Sequence, residues 1–291
     1  MHAYIVDAVR TPRGRGNDKG ALKGVKPVDL LASVFRAIAE RTGVKTSDVT
    51  DAVIGCVTQT AEQGANIGKL ASLQAGWDDA VSGITVNRYC ASGLSAVNFA
   101  AMQVIAQDTL AVGGGVEMMS RVPMASDKGP LTHDFEYQKA NYIVPIGIAA
   151  DAVATLEGFS RAECDAYAAE SQARAAAARA GGRYASIVPV GNTLAQDENI
   201  RPATTAATLA TIPAAFADMG AKYSFDAAVQ EKYGVAAVDH VHHAGNSPAM
   251  ADGASLVLVG SEAAIKRAGL KPRARILALS LIHISEPTRL R

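Results

Sequence analysis

Aromatic side chains are scarce in this chain. One Trp, eight Tyr and six Phe make up 5% of its 291 residues. A core with so few rings closes by bringing backbones together, and the abundant Ala and 26 Gly are suited to that. Net charge is missing as well, since 28 Lys+Arg balance 28 Asp+Glu. No overall field gathers nucleic acid or an anionic membrane, although a local basic pocket for one phosphorylated ligand is compatible with a balanced total. Cysteines are few and odd in number: Cys56, Cys90 and Cys164. That count argues against a disulfide framework and for a cytoplasmic, reducing compartment. No two of them lie at zinc-site spacing, and no metal is expected. No uninterrupted apolar run approaches the roughly 20 residues that cross a bilayer, so no membrane span is expected. The opening residues read as a strand and not as a signal peptide.

What is present is a globular composition, 49% apolar and 19% charged, long enough for one large or two ordinary domains. Strands and helices alternate along the first third. Strand patterns fall at 4–9, 52–57, 83–89 and 110–113. Helical patterns fall at 27–41, 66–75 and 91–107, the first with Leu30, Leu31, Val34 and Ile38 on one face. This order predicts a layered α/β domain with parallel strand pairs. Near Met118 the texture changes to polar, turn-rich sequence. A strong helix follows, with Ser160 and Glu163 spaced as a capping box and Gly181-Gly182 at its end. Strand patterns return at 238–242, 254–259 and 273–279, with a helix at 261–268 closed by Gly269. The expectation is one α/β domain, 1–118 with 242–279, interrupted by an inserted segment 119–241. The last stretch, SLIHISEPTRLR, continues neither period.

Cys90 sits where a predicted strand gives way to a helix. Free N–H groups and the helix dipole favour negative charge there, which lowers a thiol's pKa and makes it nucleophilic. Ala91, Ser92 and Gly93 leave room for a substrate. The helix beyond, with Leu94, Val97, Phe99, Met102, Val104 and Ile105, is apolar on nearly all sides and is expected to be buried. A structural cysteine fits the position too. Cys56, in a strand run, and Cys164, in an Ala-rich helix, read as structural. Gly113-Gly114-Gly115 matches no phosphate-loop pattern and reads as a tight strand exit beside the active site. His242 and His243, adjacent on a strand, would point to opposite faces, one buried and one exposed, which disfavours a shared metal.

The wording around Cys90 resembles a known family. NRYCASGLSA, followed by AVGGGVEMMSRVPM, resembles the nucleophile region of the thiolases. DAVRTPRGRGNDKGALKGVKPVDL resembles their opening, RPATTAATLATIPAAF their loop segment, and HHAGNSPAMADGASLVLVGSEAAIKRAGLKP their return to the core. The likeness runs from residue 1 to about 276. It implies a thiolase-like layered α/β fold, here the nucleophile-bearing N-terminal half with an inserted loop domain that binds coenzyme A. It implies an acyltransferase in which Cys90 takes an acyl group from a CoA thioester. A Claisen condensation, or thiolysis of a 3-ketoacyl-CoA in reverse, completes the cycle. No tightly bound cofactor is implied, since CoA thioesters are substrates. Arg201 matches a contact near the nucleotide end, where a guanidinium suits phosphate. Thr208, Ile212 and Phe216 match further CoA contacts, and Ala244 and Ser247 lie in the segment lining the pantetheine tunnel. Core packing for Ile212 and Phe216, and a solvated surface charge for Arg201, are the plainer alternatives.

The chain also departs from the family. Pro145-Ile146-Gly147 stands where many thiolases have a His-Met pair before the glycine, and Pro248 replaces a frequent CoA-contacting serine. No Gly-His-Pro or Cys-x-Gly-Gly-Gly run is present, although the family draws its activating histidine and its acid/base cysteine from them. The expectation is that the second half is missing, that the native protein is longer, that 280–291 is a foreign tail, and that the intact form is a homodimer or homotetramer. A truncated chain of little activity, or a non-catalytic CoA-binding scaffold on half a thiolase fold, follows from the same omission.

Overall fold

The structure, a computed structural model, describes residues 2–279; the expected foreign tail, 280–291, lies outside them. In chain order the strands are β1 (Ala3–Arg10), β2 (Gly14–Arg15), β3 (Val49–Gly55), β4 (Ser82–Val86), β5 (Leu110–Met118), β6 (Ala251–Ser261) and β7 (Ala274–Arg275). The helices are α1 (Pro27–Thr42), α2 (Ile67–Gln74), α3 (Ser92–Gln107), α4 (Pro130–His133), α5 (Phe135–Ala140), α6 (Ile146–Glu157), α7 (Arg161–Ala180), α8 (Ala206–Ala210), α9 (Ala217–Lys222), α10 (Phe225–Tyr233) and α11 (Glu262–Arg267). They form two compact units. A sheet unit holds 2–127, 186–198 and 250–279, and a helical unit holds 128–185 and 199–249. The expected insert began at 119 and ended at 241. In the structure the chain changes unit at 127/128 and 249/250, and 186–198 returns to the sheet unit.

The sheet runs β4-β3-β5-β6-β1-β7, with β2 on β6. β3 pairs in parallel with β4 and β5, while β6 is antiparallel to β5 and β1. The expected parallel pairs are therefore one part of a mixed sheet. Both faces are covered, and alternate residues of each strand serve opposite faces. Ile54, Val112, Leu256 and Leu258 join the cluster under α1 and α2, while Val53, Ala111 and Val259 pack under α3. α1 contributes Leu30, Leu31, Val34, Phe35 and Ile38, all fully buried. Each such side chain is worth about 1.5–3 kcal/mol of burial. The lone Trp77 stands edge-on to Phe35 at 4.9 Å and donates its indole N–H to the Phe35 carbonyl at 3.2 Å. Pro27 opens α1, and Gly43 closes it at φ 68°.

Several expectations are corrected. The strand expected at 110–113 continues to Met118, so Gly113, Gly114 and Gly115 lie mid-strand and form no strand exit. They are glycine because backbone presses on them. A Cβ on Gly113 would lie 2.6 Å from Val97 Cα of α3, one on Gly114 2.1 Å from the Ser255 carbonyl of β6, and one on Gly115 2.9 Å from the Gly55 carbonyl of β3. α3 is not buried all round: Ala96, Ala100, Ala101 and Val104 face the sheet, but Leu94 and Met102 are 48% and 47% exposed. By length and composition alone the segment Tyr89–Gln107 is apolar enough to cross a membrane; its buried residues lie on the sheet. Residues 238–242 form no strand; they are extended chain whose Val241 and His242 N–H groups donate to the Asp151 carboxylate. The expected strand at 273–279 shrinks to Ala274–Arg275, and β4 stops at Val86, short of Tyr89.

In the helical unit α7 begins with the expected capping box, Ser160 with Glu163. α6 was not anticipated, because its apolar residues show no clear one-sided period. It carries Ile148 and Ala152 into a cluster with Val229, bordered by Val144, Phe216, Phe225 and Val235.

The close approach of α3 to β5 sets a test. Gly113→Ala is expected to cost about 1–3 kcal/mol in denaturant unfolding, since backbone atoms must move. Gly253→Ala in β6, where a Cβ meets only Thr11 Oγ1 at 3.7 Å, is expected to change stability by less than about 0.5 kcal/mol. Equal costs at both sites would contradict a backbone-limited contact at Gly113.

Candidate active site

The turn that carries Cys90 is built from short-range hydrogen bonds. Asn87 Oδ1 accepts the Tyr89 N–H at 2.8 Å, and Tyr89 takes a left-handed φ of 47°. For a bulky residue that conformation costs roughly 1–2 kcal/mol, so it persists only when its surroundings impose it. Ser92 does so from the other side. Its hydroxyl donates to the Tyr89 carbonyl at 2.6 Å and accepts the Arg88 N–H at 2.8 Å. The Ala91 and Ser92 N–H groups turn back to the carbonyls of Arg88 and Tyr89. Cys90 therefore stands exposed in the turn just before α3, ahead of its N-cap Ala91. Beneath it, a Cβ on Gly55 would lie 2.3 Å from the Ser92 carbonyl carbon and 2.5 Å from the Gly93 nitrogen. The glycine that ends β3 thus lets the turn after Cys90 rest on the sheet. Asn87 and Tyr89 were not singled out in the sequence, and Ser92 was noted only as a small residue leaving room beside Cys90. The Asn two residues before Tyr89 is the available signal, since Asn side chains cap backbone two residues on and make tight turns.

The other cysteines differ. Cys56 is buried, and its thiol is pushed up to about 12, first by burial and then by the charge of Glu117. Burial, reinforced by Asp165 and Glu163, also raises Cys164. A thiolate is disfavoured at both.

The candidate coenzyme A residues lie in the helical unit. Arg201 is exposed, and its N–H donates to Gln172 Oε1 of α7 at 2.7 Å. Thr208 is exposed, and its hydroxyl closes the capping box of α8 with Thr205. Ile212 is half-buried, and its carbonyl and that of Leu209 both accept from the Arg161 guanidinium. Half-buried Phe216 packs its ring where a Cβ on Gly147 would stand, 2.2 Å away. Ala244 is exposed and Ser247 half-buried on the turn that follows His243. That turn meets α8, because a Cβ on Gly245 would touch Leu209 at 2.6 Å, and Ala215 donates its N–H to the His242 carbonyl. The structure thus joins the segments bearing Thr208, Ile212, Phe216, Ala244 and Ser247, while Arg201 is tied to α7.

Two buried carboxylates hold this turn. Asp165 accepts from Arg161 at 2.8 Å, from His243 Nε2 at 2.9 Å and from Asn246 at 2.9 Å. Burial works to raise its pKa, but these three donors outweigh it and hold Asp165 below the usual carboxylate range. His243 Nδ1 accepts the Gly245 N–H, which assigns the proton to Nε2. Its adjacency to His242 reflects no strand alternation: His243 is buried on Asp165, and His242 Nδ1 reaches Asp151 at 2.7 Å. Among the described residues no His, Cys, Asp and Glu group is placed to hold a metal.

His240 faces carboxylates from both ring nitrogens, Asp151 at 2.7 Å and Asp226 at 3.2 Å. Burial works to lower its pKa, yet hydrogen bonds to Asp151 and Asp226 raise it above 6.5 overall. A raised histidine contributes stability that is complete below its unfolded value of about 6.5. That contribution is lost as pH rises through the folded value. The melting temperature of the helical unit is therefore expected to fall from pH 6 towards pH 9. His240→Gln should flatten that slope and cost about 1–3 kcal/mol at pH 6. Circular dichroism melts across this range check it, and an unchanged slope in the variant would rule it out.

Comparison with known proteins identifies the family. A family profile described as "Thiolase, N-terminal domain" matches residues 3–230. The 3-ketoacyl-CoA thiolase of Escherichia coli O1:K1 is 36% identical over 293 residues, covering 96% of this chain and 69% of that protein. Those of Klebsiella pneumoniae and Salmonella typhimurium are 36% and 35% identical with the same coverage. The crystal structure of human mitochondrial 3-ketoacyl-CoA thiolase in complex with CoA superposes with a TM-score of 0.79 at 26% identity, covering 94% of this chain and 68% of the human chain. The chain belongs to the thiolase family.

Proposed function

We propose that this chain carries the acyl-accepting site of a thiolase-type acyltransferase that acts on CoA thioesters of the 3-ketoacyl class, with Cys90 as nucleophile. The observation that carries the reading is the exposed cysteine held on an over-determined left-handed turn at the start of α3, in a chain of this family. The Cys90 thiolate attacks the thioester carbonyl carbon. The bond from that carbon to the CoA sulfur breaks, the CoA thiolate leaves and takes up a proton, and a Cys90 thioester remains. Arg201 serves the phosphate-bearing end of CoA. Thr208, Ile212, Phe216, Ala244 and Ser247 serve its nucleotide and pantetheine portions. CoA is a substrate and not a resident cofactor. A reducing compartment suits a catalytic thiol.

The condensation or thiolysis that completes the cycle needs an acid–base pair. Loss of such assistance costs typically 10²–10⁴-fold. The family's Gly-His-Pro and Cys-x-Gly-Gly-Gly runs are not among these 291 residues. The chain's own residues therefore account for the acyl-enzyme and for CoA binding, and a homodimer or homotetramer is proposed for the form that turns over.

Mixing the protein with acetyl-CoA and analysing tryptic peptides by mass spectrometry tests this. Acetylation is expected on the peptide containing Cys90 and not on those containing Cys56 or Cys164. Cys90→Ser should reduce it by on the order of 10⁴-fold or more. Saturable CoA binding without acylation would instead favour a scaffold role and sink the enzymatic reading.

A further inference from the structure

We infer that Glu117 is a positioning residue for the nucleophile and acts through Val57 and Asn87 on the turn that carries Cys90. The inference rests on the reading of Cys90 as nucleophile and adds a residue outside its immediate turn.

Glu117 lies near the end of β5. Its carboxylate collects three donors: the Val57 N–H at 2.8 Å, the Thr58 N–H at 3.3 Å and the Gln63 side-chain amide at 2.8 Å. Gln63 is fully buried and is itself locked, accepting the Met118 N–H at 2.7 Å while donating to the Thr58 carbonyl at 3.0 Å. The two oxygens of the carboxyl group offer acceptor sites to all three N–H groups. The loop leaving β3 is thereby fixed at residue 57. Val57 is gripped on its other polar group as well, because its carbonyl accepts from Asn87 Nδ2 at 3.1 Å. The same Asn87 side chain receives the Tyr89 N–H that supports the left-handed φ of 47°. Cys90 is the next residue. A continuous path of hydrogen bonds thus runs from Glu117 through both polar groups of Val57 and both of Asn87 to the strained residue before the nucleophile.

The path distinguishes Glu117 from a packing residue. A packing role acts on stability alone, whereas a positioning role acts on Cys90 and depends on Asn87. Substituting Glu117 by Gln turns one acceptor into a donor facing donors, and Asn87→Ala cuts the path at an exposed residue.

Alkylation of Cys90 by iodoacetamide on the full chain reads the effect without coenzyme A, so its outcome is separate from whether acyl transfer occurs. Rates are followed by peptide mass spectrometry at one fixed pH, with melting curves in parallel. E117Q and N87A are each expected to slow Cys90 alkylation by about tenfold, and the double variant to be no slower than the slower single one, since both cut one path. Multiplied effects in the double variant would show that Glu117 acts independently of Asn87 and overturn the inference. Unchanged Cys90 rates alongside a lowered melting temperature would do the same. If E117Q does not fold, E117D, which keeps the charge but shortens the reach, takes its place in the same cycle, and the same rates support or overturn the inference.

Discussion

The sheet unit depends on backbone meeting backbone without side chains between. α3 lies on β3 and β5 at Gly55 and Gly113, where a Cβ would stand 2.3 Å and 2.6 Å from the helix main chain. Ala96, Ala100 and Ala101 on the facing side of α3 extend the same contact. The seating of the turn that carries Cys90 follows from this proximity. If the helix stood a methyl group further out, its first turn would lose its seat on the end of β3. The Tyr89 turn would then lose the support that makes its left-handed backbone tolerable. The scarcity of aromatic residues and the wealth of Gly and Ala in the composition are the same constraint seen from outside.

Much of the sheet unit was legible because its elements are long and periodic. α1 announces itself by Leu30, Leu31, Val34 and Ile38, and α2 falls within the expected helix at 66–75. The place of Cys90 between a strand and a helix was legible too. What misled was glycine. The run Gly113 to Gly115 reads as the end of a strand when only local propensity is weighed. Mid-sheet, the close passage of α3, β6 and β3 overrides that preference, and such passage is a tertiary fact with no local signature. α3 misled in the opposite sense: its apolar residues surround the axis, yet only one side meets the sheet, while Leu94 and Met102 stay half exposed.

The helical unit was harder to read because polar groups organise it. Residues 238–242 have the composition of a strand but join no sheet; the Val241 and His242 N–H groups go to Asp151 and that of Asp239 to Thr155, and His240, His242 and His243 all end on carboxylates of α6, α7 or α10. Hydrogen bonds between residues about 80 to 90 apart leave no periodic trace. Phe216 shows the same limit. Its identity suits either a ligand or a core, and only the vacancy of Gly147 beneath its ring shows what one side of it touches.

The position of β6 bears on how the protein is made. Residues 251–261 pair with both β1 and β5, yet they follow β5 by more than a hundred positions. Until the ribosome has delivered Ser261, β5 and β1 have no strand to join them, and their inner edges stay open. The entropy of closing so long a loop is repaid only at that late moment. The nascent chain must therefore carry two unsatisfied strand borders from the completion of β5 at Met118 until β6 emerges, the interval in which edge-to-edge mispairing with other chains is the chief hazard.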